Sequence, residues 1–88
     1  MKEITFTVKD ALGLHARPAG LLVKLVQGMD SDCTITLERT GKSASLKRVL
    51  AVMGLGVKGG DTVTVLLQGG DEDGNAEQIR EWLESHLG

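Results

Sequence analysis

The side chains best suited to chemistry lie in the stretch GLHARPA, residues 13–19, where a strand is expected to give way to a helix. His15 would sit near the helix N-cap, where the first backbone N–H groups lack partners and the dipole attracts an anion. Pro18 fits a first helical turn because it has no N–H to leave unpaired. Arg17 adds a planar, permanent cation suited to phosphate oxygens. The stretch predicts that His15 accepts a phosphoryl group.

The simpler interpretation of this stretch is structural, with His15 as a polar cap residue and Arg17 as an ordinary surface charge. Arg17 and Pro18 both follow the histidine within three positions, which favours the phosphate interpretation. No metal site is predicted, because the only other histidine, His86, belongs to the expected last helical turn and no carboxylate lies at ligand spacing from His15.

Other candidate chemistry in the sequence is weak. Residues 54–59 match the dinucleotide fingerprint G-x-G-x-x-G, but a helix is expected before them and a strand after them, the reverse of the required order. We therefore expect a loop there and no organic cofactor. Cys33 falls on the apolar side of a strand, which predicts a buried, unreactive thiol. Ser31, Ser43 or Ser45 could contribute to a Ser–His–Asp triad, but no feature of the sequence positions any of them.

Composition limits the class of protein. The 88 residues, 41% apolar, suit a single domain over 1–88. The net charge of −2 and the presence of only two aromatic residues argue against nucleic-acid binding. A lone cysteine excludes an internal disulfide. No apolar run is long enough for a signal peptide or a membrane span, so we expect a cytoplasmic protein without membrane insertion.

Hydrophobic periodicity predicts four strands and three helices. The strands are expected over 4–8, 33–37, 43–46 and 62–68, and the helices over 19–27, over 47–53 and after the acidic run 71–73. Each strand has one apolar and one polar face, which favours an antiparallel or mixed sheet with helices on one side. The order β-α-β-β-α-β-α indicates an α+β, open-faced two-layer β-sandwich.

The first two helices carry more apolar side chains than one buried stripe requires: Leu21, Leu22, Val23, Leu25 and Val26 on the first, and Val49, Leu50, Val52, Met53 and Leu55 on or after the second. A one-sided sheet cannot easily bury both sets, so some are expected to be exposed. Exposed apolar patches often mark a protein partner. Crowding of these side chains into the core is the alternative.

GLHARPA resembles the phosphorylation motif of the HPr family, the histidine-containing phosphocarriers of the phosphoenolpyruvate:sugar phosphotransferase system. GKSASLK at 41–47 resembles the family's third strand and its lead into the second helix, so the likeness extends along the whole chain. The resemblance implies a four-stranded antiparallel sheet with three helices on one face. It also implies that His15 receives a phosphoryl group on Nδ1 from enzyme I and passes it to sugar-specific enzyme IIA domains, steadied by Arg17 and the amides of Ala16 and Arg17.

By the same resemblance the chain is a substrate of other enzymes rather than an enzyme, and a monomer. The residues matching the family's docking surface are Gly20, Lys24, Gln27, Val49, Leu50, Met53 and Gly54. Two positions depart from the family pattern. Arg48 stands where many Gram-positive members have a regulatory serine, so no regulatory serine is expected, and Gln27 stands where lysine is frequent. A regulatory phosphorelay paralogue, such as a nitrogen-type branch, and a protein-binding module that is never phosphorylated remain as alternatives.

Overall fold

The computed structural model describes all 88 residues, with seven elements in the predicted order. They are β1 (Lys2–Thr7), α1 (Ala16–Gln27), β2 (Asp32–Leu37), β3 (Lys42–Ser45), α2 (Val49–Gly54), β4 (Thr62–Gln68) and α3 (Glu72–Leu87). The strands form one sheet in the order β1-β4-β2-β3, with every neighbouring pair antiparallel. The predicted α+β fold with a four-stranded antiparallel sheet and three helices is confirmed.

Strand register explains why the helices cover a single face. Val65 of β4 lies opposite Ile4 on one side and Ile35 on the other, so the apolar residues of three strands line up. The next row places Thr64 between Thr5 and Thr36 on the opposite face. Because side chains alternate across a strand, this register gives one apolar and one polar face.

The helices supply the other half of the core. In α1 and in α3 the buried apolar residues recur at helical spacing, so each helix buries one stripe. One cluster of 21 buried apolar residues joins helices and sheet. The α1 set is Ala19, Leu22, Val23 and Val26, and the α3 set is Ala76, Ile79, Leu83 and Leu87. None of the three helices combines the length and apolar content that a membrane span requires.

All three helix starts differ from their predicted positions, and α3 begins at Glu72, within the acidic run rather than after it. α1 begins at Ala16 rather than at residue 19, because the apolar pattern misses a first turn that holds Arg17 and Pro18. α2 begins at Val49 rather than at residue 47. Leu46, fully buried, uses its backbone N–H to bond the Cys33 carbonyl oxygen at 2.9 Å, which holds residues 46–47 in a turn before the helix.

A polar cluster around the buried residues Ser31 and Asn75, not foreseen in the sequence, joins the end of β4 to the start of α3. Asn75 donates to Asp30 Oδ1 and to Ser31 Oγ, each at 2.8 Å, and Ser31 donates to the Gly69 carbonyl at 2.6 Å. Asp71 caps α3 by accepting a hydrogen bond from the Gly74 N–H at 3.2 Å. The cluster satisfies polar groups that burial would otherwise leave unpaired.

Candidate functional site

His15 is the N-cap of α1, as the sequence predicted. Its backbone is extended, with φ −82° and ψ −170°, and its carbonyl oxygen accepts the Ala19 N–H at 2.9 Å. Its side chain is exposed and makes no capping hydrogen bond. The imidazole is therefore free to react, since the helix does not use it as a cap.

The first turn of α1 offers two free donors next to that imidazole. The backbone N–H groups of Ala16 and Arg17 have no acceptor within the protein, and Pro18 has no N–H. Arg17 is exposed and takes part in none of the three ion pairs. Free amides at a helix start and an unpaired guanidinium can hold an anion beside His15.

Close packing of two loops sets the position of this turn. Leu14, buried next to His15, donates its N–H to the Val57 carbonyl oxygen at 3.0 Å. Gly13 has φ +67°, and a Cβ there would lie 2.5 Å from the Lys58 Cα. Only glycine permits both this backbone conformation and this approach. The loop between α2 and β4 is thus held against the loop that carries His15.

A shallow pocket of about 290 Å³ opens beside His15 between these loops. The lining is mainly apolar, and Lys58 is its one cation. The lining residues are Leu12, Leu14, His15, Ala16, Met53, Gly56, Val57 and Lys58. Arg17 does not line it. Lys58 was missed in the sequence, because it lies 43 positions after His15 and carries no motif of its own. Leu12, 70% exposed and three positions before His15, was also missed, because it lies outside the GLHARPA stretch.

The predicted docking residues occupy one surface formed by α1 and α2, which pack together. Leu50 and Met53 of α2 are 79% and 38% exposed, and Leu21 of α1 is 46% exposed. Lys24, Gln27 and Gly54 are exposed, whereas Gly20 and Val49 are half-buried. The expected exposure of apolar side chains on these helices is confirmed. We call the surface formed by Gly20, Leu21, Lys24, Gln27, Val49, Leu50, Met53 and Gly54 the α1–α2 surface.

Gln27 has a structural contact that the sequence did not indicate. Its Nε2 donates to the Lys47 carbonyl oxygen at 3.2 Å, which links the end of α1 to the turn before α2. Arg48, directly after, is the N-cap of α2, with exposed side chain and no capping bond. The start of the second helix therefore carries a permanent cation, at the position predicted from the family pattern.

The remaining candidate residues are structural. Cys33 is 2% exposed, and burial raises the pKa of its thiol. Ser31 is fully buried in the polar cluster, and Ser43 shares a 2.6 Å hydrogen bond with Thr36. His86 stacks on Trp82 with ring centroids 4.4 Å apart. No group of three or more His, Cys, Asp or Glu side chains converges in a way that could hold a metal ion.

Residues 2–85 match the family described as the PTS HPr component phosphorylation site, so the chain belongs to the HPr family of phosphotransferase-system phosphocarriers. The resemblance seen in the sequence is confirmed. Solved structures agree. The chain is 30% identical to a histidine-containing phosphocarrier protein from Mycoplasma, with a TM-score of 0.88 over 96% of this chain and 93% of that one. It is 34% identical to HPr from Thermoanaerobacter tengcongensis, with a TM-score of 0.87 over 97% and 93%.

A third similar structure is the Bacillus subtilis catabolite repression protein Crh. It is 31% identical, with a TM-score of 0.73 over 99% of this chain and 98% of that one, and it forms a domain-swapped dimer. The fold is therefore shared between phosphocarriers and a protein whose name refers to regulation.

Proposed function

We propose that His15 carries a phosphoryl group from phosphorylated enzyme I to sugar-specific enzyme IIA domains. Family membership establishes the class of phosphocarrier. The observation that supports His15 as the acceptor is its N-cap geometry: an exposed, unbonded imidazole adjoins the free N–H groups of Ala16 and Arg17.

The proposed transfer requires a nucleophile and phosphate-binding groups from this chain. The Nδ1 lone pair of His15 attacks phosphorus, and a nitrogen–phosphorus bond forms as the bond from phosphorus to the donor atom of enzyme I breaks. The Ala16 and Arg17 amides and the Arg17 guanidinium hydrogen-bond the phosphoryl oxygens. The second transfer reverses these steps toward IIA. Each partner supplies the remaining groups, so the chain is a substrate rather than an enzyme.

The α1–α2 surface is the proposed docking surface for both partners. Met53 belongs to this surface and also lines the pocket beside His15, so a protein seated there reaches the imidazole. Leu50 and Leu21 offer apolar area, and Lys24 adds a cation. Leu50→Ser should weaken enzyme I binding while leaving the thermal midpoint unchanged, because that side chain is already in water. Unchanged binding of enzyme I would show that Leu50 is not part of the docking surface.

We infer that the chain is a single cytoplasmic domain. We also infer that it works as a monomer, because both the α1–α2 surface and His15 must be accessible to its partners. Two of the similar proteins form dimers, Crh and an HPr from T. tengcongensis. Sedimentation of the chain with and without phosphorylation tests this inference. A stable dimer that covers α1 would contradict it.

A regulatory phosphorelay is the second candidate, and the similarity to Crh is the observation in its favour. Both candidates predict an acid-labile, base-stable phosphate after incubation with enzyme I and labelled phosphoenolpyruvate. They differ at the next step, because only a sugar carrier passes the label to IIA domains of sugar permeases. A non-phosphorylated binding module of the same fold would take up no label at all.

A further inference from the structure

Lys58 is the one cation that lines the pocket beside His15. It belongs to the loop between α2 and β4, whereas His15, Ala16 and Arg17 belong to α1 and its cap. The two loops meet at the pocket. A group placed on the imidazole would therefore lie near the first turn of α1 and also near the Lys58 loop.

The Lys58 backbone is held in place by several contacts. Its N–H donates to Asp61 Oδ2 at 2.9 Å, and the preceding carbonyl, of Val57, accepts the Leu14 N–H at 3.0 Å. Its Cα lies so close to Gly13 that no Cβ would fit between them. Gly59 packs just as closely, since a Cβ there would lie 2.9 Å from the Ala11 Cα. The side chain therefore starts from a defined point next to the His15 loop.

The Lys58 ammonium forms no ion pair within the protein, although the pKa of Asp61 is lowered by the Arg39 hydrogen bond and, to a smaller extent, by the Lys58 charge. The nearest acid in its own loop, Asp61, is engaged by the Arg39 guanidinium at 3.1 and 3.2 Å and by the Lys58 backbone N–H. The Lys58 ammonium itself belongs to none of the three ion pairs, and its side chain is exposed. Asp10, in the facing loop, accepts the Leu12 N–H at 2.9 Å. An unpaired ammonium at a pocket that no acidic side chain lines favours the binding of an anionic group.

We propose that Lys58 is a second phosphate-binding cation, which contacts the phosphoryl group on His15 from the loop between α2 and β4. This inference rests on the proposed function, since it concerns the phosphorylated form of His15. Its role is to bind and position the group: the ammonium stabilises the phosphoryl dianion and directs its oxygens toward the α2 side of the pocket. No bond of Lys58 is made or broken.

The test is a ³¹P NMR titration of the chain after phosphorylation by enzyme I. A nearby cation disfavours proton binding to the phosphorylated histidine, so it lowers the midpoint pH of the ³¹P titration. Lys58→Met keeps the aliphatic stem and removes the charge, and it should raise that pH by about half a unit, as expected for one charge some 6 Å away in water. Lys58→Arg should restore the wild-type midpoint.

Lys42→Met is the matched control, because Lys42 is an exposed, unpaired lysine on β3 that does not line the pocket. It should leave the ³¹P titration unchanged. Identical midpoints for wild type and Lys58→Met would overturn the role of Lys58 and leave the phosphocarrier function intact. Slower transfer with an unchanged midpoint would also overturn it, since Lys58 would then contact the partner. A wild-type chain that takes up no phosphate would overturn the proposed function itself.

Discussion

The backbone N–H of Leu14 donates to the carbonyl oxygen of Val57 at 3.0 Å, and this bond ties the residue before His15 to a loop that follows α2. Both residues are 3% exposed, so the bond is shielded from water. The site at the start of α1 is thus supported by contacts more than 40 positions away in the chain. Substitutions in the loop between α2 and β4 should therefore change the position of His15.

Gly13→Ala should destabilise the protein and impair phosphorylation. At φ +67° an L side chain is strained, and its Cβ would overlap the Val57 and Lys58 backbone. The two effects together should cost about 2–4 kcal/mol in the free energy of unfolding, measured by urea denaturation. Gly41→Ala is the control, because Gly41 has φ +73° but open space, and it should cost only about 1 kcal/mol. Equal losses of unfolding free energy in the two variants would show that the contact between the loops at Gly13 contributes nothing to stability.

Arg17→Ala should slow phosphoryl transfer without affecting stability. The side chain is exposed and unpaired, so its removal should change the free energy of unfolding by less than about 0.5 kcal/mol. The loss of a charge-assisted contact to phosphate should slow transfer by about tenfold or more. Rates with enzyme I and thermal midpoints should be measured on the same preparations. Parallel losses of stability and rate would argue for a structural role instead.

Folding stability should fall at acid pH as Asp30, in the polar cluster at the start of α3, is protonated. The Asn75 side-chain hydrogen bond, helped by the Asp71 backbone N–H, lowers the pKa of Asp30. A carboxyl whose pKa is lowered on folding adds stability above its unfolded pKa of about 4 and loses it as pH falls through the folded value. Asp30→Asn should thus weaken the drop in urea midpoint between about pH 5 and pH 2. An unchanged acid slope would place the linkage at other carboxyls, such as Asp61 and Glu72, whose pKa values are also lowered.

Arg48 should make the chain resistant to the kinase that phosphorylates the regulatory serine of Gram-positive family members. It is the N-cap of α2, where that serine is expected by resemblance, and it has no hydroxyl. Incubation with such a kinase and ATP should give no phosphoserine, whereas Arg48→Ser should create an acceptor. Stoichiometric phosphoserine in the wild-type chain would show that another serine has taken the role.

The sequence was sufficient to predict the sheet, because each strand buries one face and so alternates. It was also sufficient to place His15 at the start of a helix, since Pro18 and the free donors of a helix start are local features. The apolar pattern alone does not show the first helical turn, because Ala16, Arg17 and Pro18 are not buried.

Contacts between distant loops could not be predicted. Lys58 reaches the His15 pocket only because the connection between α2 and β4 crosses to the end of β1, where Val8 donates to the Asp61 carbonyl at 2.8 Å. Asn75 and Asp30 are 45 positions apart, and neither has a neighbour that signals the pair. Such contacts depend on how elements pack in three dimensions, which periodicity does not encode.

The most direct test of the central claim is to localise the phosphoryl group after incubation with enzyme I and phosphoenolpyruvate. Mass spectrometry under alkaline conditions should show one phosphoryl group per chain on the peptide that contains His15, and addition of a sugar-permease IIA domain should remove it. His15→Ala should take up none while keeping its thermal midpoint, because the side chain is exposed and caps nothing. A phosphoryl group on any other residue, or undiminished labelling of His15→Ala, would contradict the account.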